Sequence, residues 1–223
     1  MAGIRTHFEH QVQELQDETL LLGSMVDSAI AAAVDALKRR DLEASARIVD
    51  GDNLIDKKRW EIEQRSIMII ATQQPTAGDL RLIYGIASIT TDLERMADHA
   101  EGIAKVSLMI GDNPLPKPLI DIPRMSEHAR SMLRRSLDAF ANRDAETAKA
   151  VALEDDLIDG LYDQVYRELL TIMIQDPQKI TIATYLLWAA HNLERIADRV
   201  TNICERVIYT VTGRMEEINV STY

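Results

Sequence analysis

Two hydrophobic seams, each written twice, leave this chain little choice of fold. Ile48, Ile55, Ile62 and Ile69 recur every seven residues, and Val151, Ile158, Val165 and Ile172 repeat the pattern in the second half. Leu82, Ile86, Ile89, Leu93, Met96, Ala100 and Ile103 alternate steps of four and three, as do Ile182, Leu186, Ala189, Leu193, Ile196, Val200, Ile203 and Val207. That spacing puts every one of these side chains on one stripe of an α-helix, and such a stripe is stable only against other helices. The scarcity of glycine, proline and aromatic residues agrees with an all-helical chain.

The halves also correspond in detail. Arg40-Asp41-Leu42-Glu43 returns as Arg143-Asp144-Ala145-Glu146, and Asp52-Asn53-Leu54-Ile55-Asp56 as Asp155-Asp156-Leu157-Ile158-Asp159, both shifted by 103 positions. Asp92-Leu93-Glu94-Arg95-Met96-Ala97-Asp98 returns as Asn192-Leu193-Glu194-Arg195-Ile196-Ala197-Asp198, shifted by 100. A first helix is expected over 7–40, a second from Asp41 to about Thr72, and a third after the turn at Pro75. Four of the six prolines lie between Gly111 and Pro123, the one composition break in the chain. The reading is therefore all-α: six helices in two tandem, pseudo-symmetric antiparallel three-helix bundles. Their spans are 1–111 and 124–223, joined by a Pro-rich connection over 112–123. Residues Met215–Tyr223 carry no heptad and are expected to fray.

A net charge of −11 opposes binding to nucleic-acid phosphates and suits cations or basic partners. Acidic residues precede any apolar run at the N-terminus, unlike a signal peptide, and uninterrupted runs such as Ile67–Ala71 fall short of a membrane span. The expectation is a cytoplasmic protein with no membrane insertion. The single cysteine, Cys204, reads as a packing residue.

Within the repeated motif, Glu94 and Asp98 stand four apart, one above the other on a helix, as do Glu194 and Asp198. Like charges at that spacing oppose each other by about 0.2–0.5 kcal/mol. Measured from the Leu93/Met96/Ala100 seam they point outward. Asp56 lies 19 residues before Pro75 and Glu94 19 after it; Asp52 lies 23 before and Asp98 23 after. In an antiparallel hairpin, equal counts from the turn mean equal height, so the four carboxylates share one level. Around Pro177 the counts are 18 and 17 for Asp159 and Glu194, and 22 and 21 for Asp155 and Asp198. A surface network with Arg95 and Arg195 is the bland explanation. An all-oxygen cation site is the sharper one, selecting Mg²⁺, Mn²⁺, Ca²⁺ or oxidised iron. His191, three before Glu194, is on the right face to join the second site.

With these motifs in hand, the chain resembles the PhoU family of phosphate-transport accessory and regulatory proteins. The resemblance rests on Asp52/Asp56, Gln73-Gln74-Pro75 with Asp79-Leu80-Arg81, and Asp92-Leu93-Glu94-Arg95 with Asp98, followed by their second-half counterparts. It implies surface metal clusters held by Asp52, Asp56, Glu94, Asp98, Asp155, Asp159, Glu194, Asp198 and Asn202. Iron is the implied metal, with magnesium, manganese or zinc as alternatives. It further implies a non-enzymatic, often homodimeric adaptor that restrains the phosphate-starvation response and modulates phosphate uptake. Such an adaptor acts between the ATPase subunit of the phosphate ABC transporter and a sensor histidine kinase. Two departures stand out: Thr184-Tyr185-Leu186-Leu187 replaces Asp-Leu-Arg in the second half, and Gly102 stands opposite Asn202. The alternatives are a metal-dependent hydrolase or oxidase using the same carboxylates, and a structural bundle without metal. No glycine-rich phosphate loop is present, and neither an apolar pocket nor the desolvation that tunes catalytic acids is expected.

Overall fold

The computed structural model describes residues 2–218, with side-chain surroundings given from Thr6 onward. Among the described residues, eight α-helices form six rods. Helix α1 (Ala2–Arg39) is followed by α2 (Leu42–Gly51) and α3 (Asn53–Gln73), which together make the second rod, and by α4 (Ala77–Ile110). The second half repeats this as α5 (Asp121–Asn142), α6 (Ala145–Ala152) with α7 (Asp155–Gln175), and α8 (Ile180–Thr212). The first helix begins earlier than the polar N-terminal residues suggested.

The joints are duplicated as faithfully as the seams. Arg40 and Arg143 both adopt the left-handed conformation, with φ of 57° and 54°. Each is followed by an aspartate that caps the next helix: Asp41 accepts from the Ala44 amide at 2.8 Å, and Asp144 from the Thr147 amide at 3.0 Å. The second rod is not continuous. It breaks at Asp52, inside Gly51-Asp52-Asn53, where three weak helix formers stand together. The equivalent break at Leu153–Glu154 has no glycine, yet the backbone opens at the same place. Each break leaves an aspartate, Asp52 or Asp155, at the start of the following helix.

Helices α4 and α8 lie side by side and join the two bundles. Leu93, Met96, Ala100 and Ile103 are fully buried, and so are Leu193, Ile196, Val200 and Ile203. Burying each large side chain contributes about 1.5–3 kcal/mol. Polar rungs fix the register. Asp92 on α4 accepts from Asn202 at 3.3 Å and pairs with Arg199 at 3.5 Å, both on α8. One hundred positions on, Asn192 on α8 meets His99 on α4 at 2.9 Å. Gly102 makes room for that rung, since a Cβ there would sit 3.0 Å from the Asn192 Oδ1.

Helix α1 corrects the reading from uninterrupted apolar runs. It holds an 18-residue window of mean hydropathy 1.7, long and apolar enough by composition to cross a membrane. In the fold its stripe of Leu22, Val26, Ile30, Ala33 and Leu37 is core. Its Asp27 takes a two-pronged bond from Arg130 on α5, at 2.9 and 2.8 Å, and a third contact from Arg134. Beyond α8 the described part of the C-terminal tail, to Ile218, folds back onto the bundle. Gly213 turns the chain in the left-handed region, the Met215 sulfur lies 3.6 Å from Arg206, and the Ile218 amide donates to Glu205. Residues 219–223 lie outside the described chain.

The close approach of α4 and α8 predicts opposite signs for two glycine substitutions. A Cβ on Gly85 would fall 2.4 Å from the Thr210 methyl, so Gly85→Ala should destabilise by about 1–3 kcal/mol through overpacking. A Cβ on Gly160 meets nothing within 4 Å, so Gly160→Ala should stabilise by about 0.5–1 kcal/mol. Urea unfolding monitored by circular dichroism measures both.

Candidate metal centres

The first centre is built where α3 and α4 run antiparallel. Asp52 closes the break before α3, Asp56 sits one turn into it, and Glu94 and Asp98 face them from α4. Asp52, Glu94 and Asp98 show the strain of crowding. Burial raises Asp52 most, with Glu101, Asp56, Asp98 and Glu94 adding repulsion, and its pKa reaches about 6. Burial also raises Glu94, assisted by Asp98 and Asp56 and offset by Arg59 and Arg95. Asp98 is raised by burial, then by Asp56 and Glu101, against His99 and Arg95. The four acids are near enough across α3 and α4 for their charges to act on one another.

Glu101 is the member that counting from the turn overlooked. It lies seven residues after Glu94, on the same helical face, and its charge acts on both Asp52 and Asp98. Its side chain also pairs with Lys105 at 2.5 Å. The spacing 94, 98, 101 was the available signal.

The second centre joins Asp155 and Asp159 of α7 with Glu194 and Asp198 of α8. Glu194 is raised to about 7, by burial first and then by Asp198, Asp159 and Asp155, with Arg195 opposing. Asp159 is raised by burial and by Asp198. The outward orientation read from the seam does not extend to this half, where Glu194 is only 8% and Asp155 only 4% exposed. Helix α8 is covered by α4, α5, α6 and α7, so few of its faces reach solvent. The expected lack of desolvation at the acids is thus corrected: desolvation is the leading influence on both centres.

The second centre has side chains of its own against its carboxylates, as Lys105 stands against Glu101 in the first. His191 Nδ1 lies 3.2 Å from Glu194 Oε2, and Arg195 pairs with Asp198 at 2.7 Å. Asn202, at the equivalent of Gly102, has its amide on Asp92 of the opposite half, away from this cluster. Cys204 is buried, its thiol pushed up to about 12, in keeping with a packing role. Among the described residues, no three His, Cys, Asp or Glu side chains close round a single point. An ion at either centre would have to draw the carboxylates in by rotation about their side-chain bonds. The donor set itself is oxygen-only, suited to hard cations.

An apolar pocket of about 430 Å³ adjoins the first centre, lined by Met25, Ala29, Ile48 and Ile55 with Asp52 and Glu101 at its wall. No such pocket was expected. Gly51 is on its lining; the second-half counterpart of Gly51 is Glu154, which is clasped by Arg135 at 2.7 Å.

Comparison with known proteins now decides the family. A PhoU domain model matches residues 19–107 and 122–207, one match per half. The chain belongs to the PhoU family. It is 39% identical over 216 residues to a protein of Clostridium acetobutylicum described as "Phosphate-specific transport system accessory protein PhoU homolog", covering 96% of this chain and 99% of that one. The Escherichia coli K12 "Phosphate-specific transport system accessory protein PhoU" is 31% identical over 211 residues, covering 95% and 88%. Among solved structures, PhoU from Streptococcus pneumoniae, described as a phosphate transport system regulatory protein, superposes with a TM-score of 0.88 at 33% identity, covering 94% of this chain and 99% of that one. PhoU from Pseudomonas aeruginosa gives 0.88 at 33%, covering 93% and 100%. The all-helical, doubled architecture expected from the seams is the architecture of this family.

The crowded acids predict an inverted pH dependence in chelator. Unfolded, Asp52 and Glu194 titrate at their ordinary values of 3.8 and 4.5; folded, at about 6 and about 7. The native state holds these protons more tightly, so stability falls as pH rises from about 4 to about 7 and stays low above. Melting temperature should be higher at pH 5 than at pH 8, and Glu194→Gln should flatten that slope. An unchanged slope in the variant refutes the assignment.

Proposed function

We propose that this chain is an accessory regulator of phosphate transport, a metal-binding cytoplasmic adaptor that restrains the phosphate-starvation response and modulates phosphate uptake. Its partners in this reading are the ATPase subunit of the phosphate ABC transporter and a sensor histidine kinase, and it works as a homodimer. One observation carries the reading: the family match spans both halves and includes both acidic centres, in relatives named for the phosphate-specific transport system. Exposed apolar side chains at the α7–α8 turn, Ile174, Ile180 and Trp188, supply surface for a protein contact.

Asp52, Asp56, Glu94, Asp98 and Glu101 would hold metal at the first centre, and Asp155, Asp159, Glu194 and Asp198 at the second. A bound cation would relieve the repulsion that raises these acids and give phosphate oxygens a positive surface. Iron is the metal taken from the family resemblance; the oxygen donors equally suit magnesium or manganese, and zinc is the remaining candidate. The protein's own residues do the rest: they fix the carboxylates at one height on two rigid helices.

The apolar pocket beside Asp52 and Glu101 favours a competing reading, a metal-dependent hydrolase or oxidase using the same carboxylates.

Elemental analysis should find metal in the purified protein and little in a Glu94→Gln/Asp98→Asn/Glu194→Gln/Asp198→Asn variant. Equal metal in both rejects the site. Phosphatase turnover that is lost in the same variant rejects the adaptor in favour of the enzyme. Pull-down with the transporter ATPase and the kinase should recover both from phosphate-replete cells.

A further inference from the structure

The Asp79-Leu80-Arg81 segment is a motif that the acidic centres leave unused. It lies at the far end of the first bundle, on the lip of a groove of about 650 Å³. That volume is within the range of small-molecule sites, roughly 300–1,000 Å³. Ile67 and Ile70 from α3, Leu80 and Tyr84 from α4, Tyr209 from α8 and Met215 from the tail line it. Several of these stay in water: Ile67 is 67%, Tyr84 50% and Met215 69% exposed. An apolar groove left open in this way marks a binding surface.

The Arg81 guanidinium on its lining gives it a sign, and that of Arg206 lies behind its aromatic wall. The Nε atoms of Arg81 and Arg206 are both buried without a hydrogen-bond partner. Among the described residues, no carboxylate stands within ion-pair distance of either. Arg206 is instead held over the rings of Tyr84 and Tyr209, at 5.3 and 5.9 Å, with the Met215 sulfur its nearest acceptor. The tail backbone at Gly213 lies over the Arg81 guanidinium, where a Cβ would be 3.4 Å away. The carboxylate in the groove, Glu63, is already paired with Arg59 at 2.8 Å. Buried donors on a charged group without an acceptor are costly, and an anion removes that cost. The second half, with Thr184-Tyr185 in place of the motif, does not repeat the arrangement.

We propose that this groove binds a small amphipathic organic anion, with its carboxylate or equivalent head on Arg81 and its apolar body along Ile67, Ile70 and Leu80. The ligand is a free small molecule rather than a membrane surface.

The test uses the full chain with 1-anilinonaphthalene-8-sulfonate as fluorescent reporter and decanoate as competitor. Decanoate should displace the dye. Arg81→Gln and Arg81→Ala should each weaken decanoate at least about tenfold, the loss expected for one charged hydrogen-bonding partner. Ile67→Asp, at an exposed position that no core contact depends on, should weaken it similarly with an unchanged melting temperature. Decyltrimethylammonium, with the same apolar body and the opposite charge, should fail to compete. Competition by the cation equal to that by decanoate, or equal affinity in all three variants, overturns the proposal. Displacement by inorganic phosphate alone overturns the need for an apolar body. Binding to anionic phosphatidylglycerol vesicles that is lost in Arg81→Gln, without decanoate competition, reassigns the groove to the membrane and overturns it as well.

Discussion

The pairing of α4 with α8 is the contact on which everything else in this molecule depends. Each helix is the most buried element of its own bundle, and each carries the repeated Leu-Glu-Arg motif whose leucine faces the core while its glutamate faces the neighbouring α3 or α7. An apolar seam alone would tolerate sliding by a heptad, because leucine and isoleucine accept one another at many registers. The rungs at Asp92 and Asn192 remove that freedom, since a shift would leave charged or amide groups buried without partners. Register on this seam in turn sets the height of both acidic centres, one on each side of it.

The acidic centres are consequently two versions of one device in different surroundings. The first is the more charged: it gathers Glu101, while Arg59 and Arg95 act on it from a distance. The second is drier, and His191 and Arg195 are already drawn onto its carboxylates. Burial and repulsion act together in both, which is why the acids resist ionisation on a protein that is otherwise strongly acidic.

Most of the architecture was legible in the sequence because helix periodicity is a local property. The seams, the capping aspartates Asp41 and Asp144 and the turn at Pro75 need no knowledge of the partner helix. Equal counts from that turn placed Asp52, Asp56, Glu94 and Asp98 at one level for the same reason: rise per residue is constant. What failed depended on neighbours. Glu194 and Asp155 are buried because other helices cover α7 and α8, and no angle measured on one helix reports that. The break at Leu153–Glu154 carries no glycine or proline to announce it. The bond from the Asn202 Nδ2 to Asp92, 110 positions away on α4, was likewise invisible to local reading. The ordered tail over Arg81 and Arg206 was hidden because it rests on tertiary contacts and has no periodicity of its own.

The rung at Gly102 bears on the history of the duplication. In a chain made from two copies of the first half, Asp92 would face His99 and Gly102 and find neither the guanidinium nor the amide that now answers it. Two copies of the second half would set Asn192 against Asn202 where only a glycine leaves space. Each half has thus become the specific complement of the other. The repeats are no longer interchangeable parts, and the molecule behaves as an obligate heterodimer that happens to be written on one chain.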